Sequence, residues 1–96
     1  MAGKRVDANQ PQIVSDIRKA GLHVVHLHTL GQGVPDILVS GYHRTMGVVA
    51  ALLVEIKIDK GKLTPDEMSW HNDYPSDGPL IIARSSDDVF RWFGII

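Results

Sequence analysis

Cysteine is absent from this 96-residue chain. That excludes disulfides, zinc–thiolate centres and a cysteine nucleophile, and it suits a reducing compartment. An excess of charge is missing too: ten Lys and Arg stand against eleven Asp and Glu, a formal net charge of −1. Bulk attraction therefore cannot carry nucleic-acid binding, and any such contact needs a local basic patch. No apolar run approaches the ~20 residues of a membrane helix. The opening MAGKRVDANQ lacks the apolar stretch of a secretion signal, so the expected location is cytoplasmic. Repeats, low-complexity tracts and linkers are also lacking. What is present is enough chain for one modest core, with 44 % apolar residues. The expectation is a single domain over residues 1–96, with the polar residues 1–8 loose.

Local patterns suggest the order helix, three strands, helix, strand, helix. In NQPQIVSDIRKAG, Asn9 suits an N-cap, Pro11 the first turn and Gly21 the stop, while Ile13, Ile17 and Ala20 share one face. LHVVHLH is short and β-branched, a first strand. VPDILVSG reads as the second strand, YHRTMG as a turn and VVAALLVEIKI as the third strand. LTPDEMSWHNDY opens with Thr64, Pro65 and Glu67, the signature of a capping box. PLIIARS reads as a fourth strand and SSDDVFRWFG as a last short helix, capped by Ser85 or Ser86. Strands two and three make a hairpin, and the helix before strand four permits a parallel pairing. The class is α/β: a small mixed β-sheet flanked by helices.

One residue disturbs this pattern. Asp36 sits among Val34, Ile37, Leu38 and Val39, where an unpartnered buried carboxylate would cost several kcal/mol. The third strand ends Glu55-Ile56-Lys57. Residues two apart on a strand share a face, roughly 6.6–6.8 Å apart. Glu55 and Lys57 therefore leave together, while Leu52, Val54, Ile56 and Ile58 are expected in the core. A suitable hairpin register sets Asp36 beside Glu55. Adjacent carboxylates repel unless a positive group lies between them. A divalent cation suits that place, with the Ile56 carbonyl as a further ligand and Lys57 beside a metal-bound water. Such a set suits phosphodiester hydrolysis.

Pro35-Asp36, followed 19 positions on by Glu55-Ile56-Lys57, resembles the PD-(D/E)XK nuclease motif. The stretches GVPDILV, LLVEIK, KLTPDEMSWH and PLIIARSSDDV follow in the order seen in VRR-NUC nucleases, from about Asn9 to Phe90. Members are compact nucleases of phages and bacteria or domains of repair proteins. The resemblance implies a restriction-endonuclease-like core. It also implies Mg²⁺- or Mn²⁺-dependent cleavage of structured DNA, including four-way (Holliday) junctions, by a homodimer. Asp36 and Glu55 would hold metal and Lys57 would be the catalytic lysine. The family usually has a glutamate on the first helix. Here Gln10 and Gln12 stand at the corresponding place, and Gln12 is expected to face Asp36 and Glu55 and accept a hydrogen bond from a metal-bound water.

Other residues carry two readings each. Lys60, Lys62, Arg44 and His43 are candidate DNA contacts or ordinary loop residues. Glu67 is explained by its cap, and Trp70 and His71 by packing or surface. His26 and His28 could share a strand face, but no third zinc ligand is spaced with them. Phe90, Trp92, Phe93, Ile95 and Ile96 are core or a subunit interface. Two alternatives stand beside the nuclease. One is a DNA-binding, nuclease-like module with weak chemistry because the helix acid is glutamine. The other is an α/β interaction domain in which Asp36, Glu55 and Lys57 form only a buried ion cluster.

Overall fold

The computed structural model describes residues 8–96. The loose segment expected at residues 1–8 falls on residues 1–7, outside the described residues, and on Ala8, which opens the turn into the first helix. That helix, α1 (Gln10–Lys19), buries Ile13, Val14 and Ile17 on one face. Its basic last turn, Arg18 and Lys19, suits the negative end of the helix dipole. Gly21, at φ +87°, turns the chain out of the helix in a conformation that disfavours a side chain. Asn9 holds the N-cap position without capping. Its Nδ2 instead donates to the Lys57 carbonyl at 3.3 Å, tying the start of α1 to the end of the third strand.

Four strands form one mixed sheet in the order β1 (His23–His26), β2 (Ile37–His43), β3 (Val48–Ile56), β4 (Leu80–Ala83). The first two pairings are antiparallel and β3–β4 is parallel. The crossover from β3 to β4 runs through α2 (Pro65–Asp73), and α3 (Ser86–Trp92) closes the chain. Val24, Ile37, Val39, Leu52, Val54, Ile56 and Ala83 bury one sheet face against Ile13, Val14 and Ile17 of α1 and against Val89 and Phe93 at α3. The other face carries Val25, Leu38, Tyr42, Val49, Leu53 and Ile82. Among these, Val49 is 77 % and Tyr42 58 % exposed.

The elements match the sequence pattern, but several boundaries and burials differ. β2 starts at Ile37, so Pro35 and Asp36 form the approach to the strand. Pro35 has no N–H to give a ladder. His28 lies in a 3₁₀ turn (His28–Leu30) after β1, so it does not share a strand face with His26. β2 runs on through His43, whose register with Val48 points it to the core face. Ile58 lies beyond β3 and is 39 % exposed, not core, because the strand has ended. Ser85 is the N-cap of α3 by position, without a side-chain cap bond, and the Arg84 N–H goes to Asp88 Oδ2 at 2.8 Å. Phe93 is fully buried and Ile95, Phe90 and Trp92 pack against the core, which leaves Ile96 as the exposed apolar residue of that group.

Candidate active site

The β2–β3 hairpin builds the site. Continuing its register one step past Ile37↔Val54 sets Asp36 opposite Glu55. The Asp36 carboxylate accepts the buried Ile56 N–H at 2.7 Å, at the point where β3 ends. The Asp36 carbonyl accepts the Leu27 N–H at 2.8 Å, so both sides of this residue are pinned. A buried acid is tolerable here because a backbone donor meets it.

Glu55 leaves the sheet face opposite the core, yet it is 1 % exposed. The α2 helix closes over it. Lys57 Nζ lies 3.7 Å from Glu55 Oε2 and donates to Glu67 Oε1 at 2.7 Å. His71 Nε2 stands 3.9 Å from Glu55 Oε1. The capping box of α2 is complete: the Glu67 N–H donates to Thr64 Oγ1, and the Thr64 N–H donates to Glu67 Oε1. One carboxylate oxygen therefore takes both the cap N–H and the lysine. Glu67 is 3 % exposed and does more than end a helix. The sequence alone predicts only a cap for Glu67, and packing or a surface place for His71. Both lie on the strongest-signalled helix, but nothing local shows what that helix packs on.

Gly33 allows this closure. Its φ is +81°, and a Cβ there would run into the backbone of Asp66 and Glu67. The loop before Asp36 and the first turn of α2 thus touch backbone to backbone.

The first helix departs from expectation. Gln12 is exposed, and its Nε2 donates to Asp16 Oδ1 at 2.8 Å, so it does not face Asp36 and Glu55. Gln10 is the inward amide, 2 % exposed, and its Oε1 has no hydrogen-bond partner among the described residues. The helix phase decides this: residues three and four after Gln10, Ile13 and Val14, are the core face.

Lys60 and Lys62 are exposed on the loop between Lys57 and α2, and Arg44 is exposed on the β2–β3 turn. His43 is not available to DNA. It is 7 % exposed, accepts the Met46 N–H at 3.1 Å and packs edge-on to Trp92. Among the described residues, no three His, Asp or Glu side chains stand grouped as a ready metal-ligand set. None of the helices of the described residues is long and apolar enough to cross a membrane.

No protein family, curated protein or solved structure matches this chain.

Proposed function

We propose that this chain is a divalent-metal-dependent endodeoxyribonuclease of the VRR-NUC kind, with a restriction-endonuclease-like core. It hydrolyses phosphodiester bonds in branched DNA such as four-way junctions, and it acts as a homodimer. The observation that carries this is the Asp36 carboxylate held by the N–H of Ile56, the residue between Glu55 and the Lys57 whose Nζ lies 3.7 Å from Glu55.

The donors fit a hard dication such as Mg²⁺ or Mn²⁺. They are the Asp36 and Glu55 carboxylates and the Ile56 carbonyl. Gln10, the inward amide of α1, belongs to the helix turn that Asn9 ties to β3. Mg²⁺ commonly takes only one or two carboxylates and fills its shell with water and substrate phosphate. Bound there, the metal supplies Lewis-acid polarisation of the phosphodiester and a more acidic water. The chain's own part falls to three side chains. Lys57 brings an ammonium to the negative charge that builds on phosphorus and to the attacking water. Glu55 and Glu67 hold that ammonium in place, and α2 keeps bulk water from it.

A second reading has its own support in the buried Gln10 amide. A neutral group at an inward position of α1 leaves the site one negative charge poorer than a glutamate would. The chain would then be a DNA-binding, nuclease-like module with weak chemistry.

Labelled linear, nicked and four-way-junction DNA, incubated without metal, with Mg²⁺ and with Mn²⁺, separates these. Metal-dependent cutting of the junction ahead of the linear duplex is the expected result. Binding without cutting in either metal favours the second reading. Neither binding nor cutting overturns both.

A further inference from the structure

A cleft of about 610 Å³ lies between α1 and the end of β1, on the side of α1 away from Asp16 and Ser86. Its size falls in the range of roughly 300–1,000 Å³ typical of small-ligand sites. Pro11 and Val14 form an apolar part of the wall. Arg18 and Lys19 of the last helical turn stand on one side, and His26 and His28 on the other. The two imidazoles meet edge to face, with centroids 5.5 Å apart and planes at 82°. Arg18 Nη2 donates to the Val24 carbonyl of β1 at 3.4 Å.

Two further observations mark the cleft as built for a ligand. Gln10 Oε1 and His28 Nδ1 are both buried without a hydrogen-bond partner among the described residues, and both residues line this cleft. Leaving two buried polar atoms unsatisfied in one place is costly. The elements that line the cleft are tied by backbone contacts to those that carry the candidate site. His26 pairs with Ile37, the Leu27 N–H binds the Asp36 carbonyl, and Gln10 belongs to the helix turn tied to Lys57. Burial, and then the charges of Arg18 and His28, lower the pKa of His26 from its ordinary value. At neutral pH its ring is a neutral, flat surface.

We infer that this cleft holds one unpaired nucleotide of the strand bound at the Asp36–Glu55–Lys57 site, with the base against Pro11, Val14 and the imidazoles and the adjoining phosphate on Arg18 and Lys19. The ligand must be amphipathic, because the wall is apolar and the rim cationic. A bare anion would leave the apolar wall unused. A paired base cannot enter a pocket of this size without leaving its stack, so the cleft reads strand separation rather than duplex backbone. This rests on the proposed nuclease site for its location but not for its test.

The test is binding in EDTA, followed by anisotropy of a fluorescein-labelled single strand of about 10 nucleotides, within the footprint of small single-strand binders. A blunt duplex of the same sequence, a free deoxynucleoside monophosphate and inorganic phosphate serve as comparisons. The single strand should bind several-fold more tightly than the duplex. Arg18→Ala with Lys19→Ala should weaken it about tenfold, and His26→Ala, at an exposed position, about fivefold or more. Amide NMR spectra check that these variants keep the fold.

Equal affinity for strand and duplex, insensitive to the cleft variants, overturns the inference. Full competition by inorganic phosphate alone reduces the cleft to an anion site and overturns it too. A free mononucleotide that binds as tightly as the strand makes this a soluble-nucleotide site and overturns the strand assignment. The nuclease fails separately: no cutting with any metal, while strand binding and its loss in the cleft variants persist, removes the nuclease and keeps the cleft.

Discussion

At the scale of the residue, Asp36 has two separable duties. Its carboxylate satisfies the buried Ile56 N–H, and in the proposed site it also supplies negative charge. Asparagine can keep the first duty and not the second. Asp36→Asn should therefore abolish cleavage with little change in urea midpoint. Asp36→Ala also orphans the Ile56 amide, at a cost of about 1–3 kcal/mol of stability. An active Asp36→Asn protein would remove Asp36 from the chemistry. Lys57 is argued in the same way. Lys57→Met should keep DNA binding and slow single-turnover cleavage at saturating DNA by roughly 10²-fold or more. Unchanged single-turnover rate with collapsed affinity would make Lys57 a phosphate anchor instead. On α1, the inward position is Gln10. Gln10→Glu should tighten Mn²⁺ binding, measured by calorimetry, and raise the cutting rate. Gln12→Glu should do neither, because Gln12 is exposed and bonded to Asp16. The opposite result would show that the carboxylate is needed from a different turn of the helix.

At the scale of the element, the site depends on how closely α2 approaches the loop before β2. Gly33 and Gly21 make a controlled pair. Both have positive φ, but a Cβ at Gly21 meets nothing within 4 Å among the described residues, whereas one at Gly33 meets the backbone of α2. Gly21→Ala should show only the conformational strain. Gly33→Ala should cost a further amount of about 1–3 kcal/mol, the usual scale of overpacking, in urea unfolding. It should also slow cleavage, because it pushes Glu67 away from Lys57. Equal losses in both variants would mean that α2 can shift freely without disturbing the site. The same dependence explains why Glu67 is buried although its capping role alone would leave it at the surface.

At the scale of the whole molecule, one sheet face is covered by α1 and α3, and among the described residues the other is covered only near Glu55. Val25, Tyr42, Val49 and Ile82 lie open on that second face. Each chain carries one Asp36–Glu55–Lys57 set, and a junction with two-fold symmetry needs two cuts. A two-fold pair of chains with one self-complementary patch supplies both. The open sheet face is the candidate patch. The C-terminal aromatics are less suited to it, because Phe93 is already core. Sedimentation at micromolar concentration should give about twice 10.6 kDa. Val49→Lys, on an exposed position, should shift the protein to the monomer and uncouple the paired cuts. A monomeric parent protein that still cuts junctions in pairs would rule this assembly out.

Much of this was legible in the linear order of residues. The Thr64-to-Glu67 capping box marked the start of α2 because a cap is made within four consecutive residues. The alternation of Leu52, Val54 and Ile56 marked the core face of β3 because the strand repeat is two. The spacing of Asp36 and Glu55 across one hairpin made the attachment of Asp36 to the end of β3 foreseeable, because an antiparallel register is continuous. Other features were settled only by tertiary packing. What the inward face of α1 meets is one of them, although the helix repeat already turns Gln10, three residues before Ile13, to that face rather than Gln12. His43 looked like a turn residue until β2 ran two residues further and Trp92 packed on it. Glu67 and His71 joined the site because α2, starting eight residues beyond Lys57, folds back over the face of β3 that carries Glu55. Local backbone geometry determines where elements begin and which side chains share a face. Which faces meet depends on the packing of segments far apart in the chain, and for Glu67 and His71 that packing decided the outcome.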